Sequence, residues 1–83
     1  MRVTLKLFAS LGEYLPEGAF RNAIDIEILE NASLNAIIDK YHVPREMAHL
    51  VLVNGVFACE EDRDTSLLKE GDHLAIWPPV AGG

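Results

Sequence analysis

The spacing of the apolar residues changes from a strand period to a helix period between residues 28 and 34, and that change limits the folds open to this chain. Residues 2–8 and 23–28 alternate between apolar and polar side chains, which is typical of strands with one buried face. Residues 34–41 instead carry apolar side chains at the i, i+3, i+4 and i+7 spacing of one helical face. Ser33 is a suitable N-cap, and Pro44 predicts that the helix ends near residue 42. The chain therefore begins as two strands followed by one principal helix.

The second half of the chain supplies three further strands. Residues 50–53 form a continuous apolar run, and residues 56–58 follow after Asn54-Gly55, a dipeptide that favours a tight type I′ hairpin turn. Residues 73–77 form the last strand. The resulting order predicts an α+β fold of the β-grasp type, with a mixed sheet of about five strands and the principal helix on one face.

Three connecting segments also carry local signals. Ser10 and Glu13 have the spacing of a capping box, which predicts a short helical turn through Tyr14. Residues 60–64 are predicted to be a charged, exposed connection, and residues 66–69 to form one more helical turn.

Composition and charge exclude several classes of function. The 83 residues suffice for one domain, and 13 acidic against 7 basic residues give a net charge of −6, which disfavours nucleic acid as a partner. No apolar run approaches the roughly 20 residues of a membrane-spanning helix. Met1 leads directly into the first strand without the apolar region of a secretory signal. We therefore expect a cytoplasmic protein that binds neither nucleic acid nor membranes.

The titratable residues do not suggest a metal site or a catalytic centre. His42, His49 and His73 lack metal-ligand spacing, and the acids of residues 60–64 lack the ordered alternation and glycine of a calcium loop. The single Cys59 precedes three acids that disfavour a thiolate. We expect no metal, no cofactor bound by the chain itself, and no catalysis by the chain alone.

Three aromatic residues are predicted to share the sheet face that the helix leaves open. Phe8 and Trp77 lie off the apolar faces of their own strands, and Phe57 projects outward if its small neighbours face the core. A cluster of exposed aromatics marks a protein–protein surface, so Phe8, Phe57 and Trp77 are the predicted partner-binding residues. In the alternative reading, Phe57 and Trp77 fill a second small core beneath the loops.

Residues 1–77 are thus predicted to form the β-grasp domain, and residues 78–83 a flexible C-terminal tail. The residues predicted to insert into a partner are Pro78, Pro79, Val80, Ala81 and Gly82. The prolines end the sheet and favour an extended chain, and the glycines fit a channel too narrow for other residues. The Gly83 carboxylate is ionised at neutral pH, so acyl chemistry there needs activation, for example adenylation by ATP. The alternative is a frayed terminus without function.

Four motifs carry a family resemblance. They are Leu7-Phe8-Ala9-Ser10-Leu11 with Glu13, Val53-Asn54-Gly55, Leu67 with Glu70-Gly71-Asp72, and Pro78-Pro79-Val80-Ala81-Gly82-Gly83. On these motifs the full chain resembles the ubiquitin-like sulfur carriers of the MoaD and ThiS types, and among them the small subunits of molybdopterin synthase. One departure is Gly12, where many relatives carry an arginine that forms an ion pair with a partner.

The resemblance implies a division of labour between this chain and two partners. A MoeB- or ThiF-like activating enzyme would use ATP to adenylate Gly83, which then becomes a thiocarboxylate. A MoaE-like large subunit would hold the pterin precursor that receives the sulfur, forming the dithiolene of the molybdenum cofactor. Family precedent suggests a heterotetramer of two small and two large subunits, in which Phe8, Phe57 and Trp77 occupy hydrophobic contact positions.

Other readings of the same residues stay open. A thiazole-forming carrier of the ThiS type, or a carrier for another pathway, would use the same terminal chemistry. A protein modifier would instead join its activated glycine to a lysine of a target. A β-grasp binding module would use only the aromatic face and not the tail.

Overall fold

A computed structural model describes residues 1–79 of the chain. Its strands are β1 (Arg2–Leu7), β2 (Ala23–Glu27), β3 (Leu50–Val53), β4 (Val56–Phe57) and β5 (His73–Trp77), and its α-helix is α1 (Leu34–Lys40). Short 3₁₀ segments span Ala9–Tyr14, Arg45–Met47 and Glu60–Asp62. All five predicted strands and the predicted principal helix are confirmed.

The five strands form one mixed sheet in the order β2-β1-β5-β3-β4. The central strands β1 and β5 run parallel, and the other neighbouring strands are antiparallel. This arrangement, with one main helix, is the predicted β-grasp fold. Because β1 and β5 are parallel, their C-terminal ends lie side by side at one end of the sheet, and the chain continues from the end of β5 into Pro78.

The core lies between one sheet face and α1. Its most deeply buried side chains, each less than 2% exposed, are Leu5, Leu7, Leu11, Leu34, Ile37, Ile38, Leu74, Ile76, Val3 and Val51. Burying one such side chain contributes about 1.5–3 kcal/mol. The 7-residue α1 is too short to be stable alone, so this packing is what maintains it.

Both predicted ends of α1 are confirmed. Ser33 Oγ accepts a hydrogen bond from the Ala36 N–H at 3.1 Å, which makes Ser33 the N-cap. At the other end His42 takes a φ of 63°, outside the helical region, and donates its N–H to Asp39 O. The helix therefore ends before Pro44.

The predictions for three connecting segments need correction. Residues 9–14 are helical as expected, but the capping box is wrong, because Ala9 already begins the 3₁₀ segment and Ser10 lies inside it. The predicted turn at residues 66–69 is not helical, since the backbone of Leu67 instead pairs with Ser33. Residues 60–64 are not uniformly exposed, because Arg63 is 3% exposed.

A hydrogen-bonded carboxylate near the start of β5 makes stability depend on pH. The Lys69 N–H donates to Asp72 Oδ2 at 2.8 Å and the Asn54 amide to Oδ1 at 2.9 Å, and together they lower the Asp72 pKa below its usual 3.8. Folding therefore favours the ionised form, so the stabilisation is complete above the unfolded pKa and is lost as pH falls through the folded pKa.

We expect Asp72→Asn to reduce the acid sensitivity of the fold, because the amide cannot lose or gain this proton in the acidic range. Urea unfolding of both proteins at pH 6 and pH 3 measures the effect. The wild type should lose more free energy of unfolding between these two pH values than the variant does. Equal losses would contradict a stabilising role for the Asp72 carboxylate.

Candidate docking face and tail root

The strand register defines the face of the sheet that α1 does not cover. Cross-strand partners point to the same side, and the pairs Leu5–Leu74 and Val51–Ile76 lie on the core side. The pairs Leu50–Trp77, Leu52–Ala75 and Leu52–Phe57 therefore lie on the opposite side. We call Phe8, Leu50, Leu52, Phe57, Ala75 and Trp77 the open-face patch.

Two of the three predicted aromatics form a stacked pair at the end of the parallel strands. The rings of Phe8 and Trp77 are 4.3 Å apart between centroids and 5° from parallel. The Phe8 N–H donates to Ile76 O at 3.1 Å, which fixes Phe8 beside the last residue of β5. Both side chains are half-buried, because each covers one face of the other.

Phe57 is on the same face but apart from that stack. It belongs to the edge strand β4, two strands from β5, and 55% of it is exposed. The alternative of a second small core that buries Phe57 is therefore wrong. The open face carries a stacked pair and a separate phenylalanine, with Leu50 and Leu52 between them.

The tail leaves the body directly beside the stacked pair. Trp77 O accepts the His49 N–H at 3.1 Å, Pro78 is buried, and Pro79 is exposed. The predictions for Val80, Ala81, Gly82 and Gly83 lie outside the described residues and stay predictions. We call Pro78 and Pro79 the tail root. The tail root and the stacked Phe8 and Trp77 lie at the same end of strands β1 and β5.

Arg63, which the sequence interpretation missed, supports the segments around this face. Its guanidinium donates to Ala48 O at 2.7 Å, His49 O at 3.1 Å and Ala58 O at 3.3 Å. These carbonyls belong to the chain entering β3 and leaving β4. A buried cation thus connects the ends of the two strands that carry Leu50 and Phe57.

Within residues 1–79 no three His, Cys, Asp or Glu residues lie close enough to hold a metal ion. The helices found in the same range are too short and polar to cross a membrane. The described residues thus place an open apolar sheet face beside the start of the tail.

The fold, with its open sheet face beside the tail root, defines a ubiquitin-like β-grasp protein. The model of the ThiS family matches residues 5–83, which is nearly the whole chain and includes the terminal glycines. The chain therefore belongs to the ThiS family. The molybdopterin synthase sulfur carrier subunit of Drosophila sechellia is 32% identical over 65 residues, covering 76% of this chain and 72% of that protein.

Solved structures of similar proteins support the same fold. A Haloferax volcanii protein of known solution structure has a TM-score of 0.76 at 23% identity, covering 100% of this chain and 87% of that one. Small archaeal modifier protein 1 of the same organism has a TM-score of 0.67 at 25% identity, covering 95% and 98%. A complex of subunits 1 and 2 of molybdopterin-converting factor from Helicobacter pylori contains a chain with a TM-score of 0.60 at 21% identity, with 100% of both chains covered.

Proposed function

We propose that this chain is the sulfur carrier subunit of a molybdopterin synthase and carries sulfur as a thiocarboxylate on Gly83. The observation that supports this most is the position of the tail root beside the stacked Phe8 and Trp77. A partner that binds the open-face patch would have the tail directed along its own surface. The similarity to the molybdopterin synthase sulfur carrier subunit of Drosophila sechellia supports the same pathway.

The proposed chemistry begins with the free carboxylate of Gly83. In the activating enzyme, one carboxylate oxygen attacks the α-phosphorus of ATP, and pyrophosphate leaves. Hydrosulfide then attacks the acyl carbon of the adenylate, and AMP departs with the original carboxylate oxygen. The product is a thiocarboxylate, and neither step oxidises or reduces any atom. In this proposal ATP is a co-substrate consumed by the activating enzyme, and the chain itself binds no cofactor.

The acceptor in this proposal is a MoaE-like large subunit. The Helicobacter pylori complex of two subunits supports this choice, since one of its chains shares the fold of this chain. The large subunit would bind the open-face patch, receive the tail formed by Pro78, Pro79, Val80, Ala81 and Gly82, and hold the pterin precursor. Two carriers on a dimer of large subunits would give a heterotetramer.

Reconstitution tests the pathway. The thiocarboxylated chain, its cognate large subunit and the pterin precursor are mixed, and the dithiolene product is assayed together with the intact mass of the carrier. We expect product to form while sulfur is lost from the carrier, and no product from the unmodified carboxylate. If a large subunit that is competent with a known carrier gives no product with this thiocarboxylated chain, the pathway assignment is wrong.

The Trp77 side chain should contribute most of the binding energy on the open face, because large half-buried aromatics are frequent interface anchors. We expect Trp77→Ala to weaken binding to the large subunit by about 2 kcal/mol or more, roughly thirtyfold. Calorimetric titration measures this, with circular dichroism to verify folding. Leu29→Ala is the matched control, since Leu29 is 77% exposed and lies outside the patch. A Trp77→Ala chain that binds like the control would rule out docking through this face.

A second candidate function is protein modification. The similarity to small archaeal modifier protein 1 favours it, because a protein described as a modifier shares the fold of this chain. Lysine-linked adducts that contain the tail of this chain, recovered from cells and absent after deletion of Gly83, would establish this function. A thiazole-forming or other-pathway sulfur carrier would share the thiocarboxylate and differ only in the acceptor.

A further inference from the structure

The open face extends beyond the predicted aromatics to a phenylalanine at its far side. Phe20 forms a β-bridge with Ala23, and Ala23 is the cross-strand partner of Lys6. Since cross-strand partners share a face, Phe20 lies on the same side as Lys6, Ala75 and the open-face patch. Phe20 is 72% exposed, more than Phe57.

Phe20 begins a two-residue hairpin turn that is hydrogen-bonded to the end of β1. Arg21 and Asn22 take φ values of 52° and 68°, which side-chain-bearing residues seldom adopt. The Asn22 amide donates to Leu7 O at 2.9 Å and fixes the turn to the end of β1. Arg21 lies over the Phe20 ring, 5.2 Å from its centroid. The turn thus places an exposed aromatic ring and a cation side by side next to β2.

Lys6 lies between the two exposed phenylalanines. Its cross-strand neighbours are Ala23 and Ala75, two small residues, so one register row runs from Phe20 across Ala23, Lys6 and Ala75 towards Phe57. Lys6 is half-buried, and no carboxylate among residues 1–79 lies within ion-pair distance of its ammonium group. The row therefore has large side chains at its ends and a cation at its centre.

The charges of this face differ from those of the chain as a whole. The net charge is −6, but on the open face Glu27 is paired with Arg2 at 3.4 Å, and Asp25 accepts a hydrogen bond from the neutral Thr4 hydroxyl at 2.7 Å. Lys6 and Arg21 thus remain as the cations available to a partner in the described part of this face. A complementary surface would be apolar with a carboxylate opposite Lys6.

We propose that Phe20 and Lys6 are part of the docking face for the large subunit, and that Lys6 binds a carboxylate on that subunit. This inference rests on the proposed function, because it takes the large subunit as the occupant. Phe20 lies at one end of the register row that contains Lys6, and Trp77 lies on the neighbouring strand β5, two residues beyond the Lys6 partner Ala75. Docking would lower the effective dielectric constant around the two charges and so increase their Coulomb attraction.

Calorimetric titration of the cognate large subunit with matched variants tests the proposal. Lys6→Met removes the charge and keeps most of the stem, and Lys69→Met makes the same change on an exposed lysine before β5. Phe20→Ser is matched by Leu29→Ser, another exposed apolar residue. We expect each open-face variant to bind about tenfold or more weakly, and each control to bind within about twofold of the wild type. Raising the salt concentration should weaken the wild type more than Lys6→Met.

The rate at which the activating enzyme loads sulfur on each variant is the second readout. It should stay at the wild-type level, since the proposed contacts are made to the acceptor. If the wild type binds the large subunit and both open-face variants bind equally well, this inference is wrong while the proposed function survives. If an open-face variant loses loading rate and affinity for the large subunit by the same factor, the assignment of these contacts to the large subunit is wrong. If the wild type itself does not bind, the proposed function fails, and this inference with it.

Discussion

Deletion of Gly83 should abolish sulfur loading and leave the folded domain unchanged. The shortened chain still ends in a glycine carboxylate, that of Gly82, so the chemistry of the terminal group is preserved. What changes is reach, because one residue spans about 3.5 Å. A displacement of only about 1 Å at a reacting centre can cost a hundredfold in rate, so we expect a loss of more than about a thousandfold.

The test compares loading rates for the wild type, the deletion and a chain extended by one alanine. Intact mass reports the exchange of one oxygen for one sulfur. Neither altered chain should be loaded with sulfur. Both should unfold at the same urea concentration as the wild type, because the change lies beyond β5. Loading of the deletion at a rate near the wild type would show that the position of the carboxylate is unimportant and would contradict a dedicated terminal glycine.

Replacement of Arg63 by methionine should destabilise the domain by about 3 kcal/mol. The guanidinium donates to three main-chain carbonyls, and Ala48, which accepts the 2.7 Å bond, is itself 2% exposed. Methionine fills similar space but donates nothing, so the buried Ala48 carbonyl and the part-buried His49 and Ala58 carbonyls lose this donor. An unpaired buried polar group costs about 1–3 kcal/mol, and a domain of this size has only about 5–15 kcal/mol in total.

Arg45→Met is the matched control for this experiment. Arg45 forms a 2.7 Å ion pair with Asp39 on the surface, and that pair lowers the pKa of the Asp39 carboxyl through the hydrogen bond from Arg45. Exposed ion pairs contribute little to stability, so this variant should lose much less. Urea unfolding measures both. If Arg63→Met is no less stable than Arg45→Met, the carbonyl contacts of Arg63 do not hold β3 and β4 together.

The sequence predicted strands β1 and β2 and the open-face position of Phe8 and Trp77 because these depend on local alternation. The residues Val3, Leu5 and Leu7 define the buried side of β1, and Phe8 must then point to the other side. The same parity places Trp77 opposite Leu74 and Ile76. Successive side chains of a strand point to opposite faces of the sheet, so the face of each residue follows from its neighbours in sequence without knowledge of the partner strands.

The features that were missed depend on contacts between distant residues. Arg63 appeared to belong to an exposed acidic loop, but its acceptors lie up to 15 residues away. Phe20 lay in a segment with no alternation, and its position depends on a turn built from Arg21 and Asn22 without glycine. Only the register of the assembled sheet shows that Phe20 shares a face with Phe57. The helical turn expected at residues 66–69 failed for the same reason, since Leu67 pairs with Ser33.

The central claim is that Gly83 is a sulfur-carrying terminus, and the intact mass of the wild-type chain tests it most directly. The protein is weighed before and after incubation with ATP, an activating enzyme and sodium sulfide. We predict a product in which one oxygen is replaced by one sulfur, formed only when ATP is present and located by fragmentation on Gly83. An unchanged mass, with an activating enzyme that loads a known carrier in the same experiment, would contradict the claim.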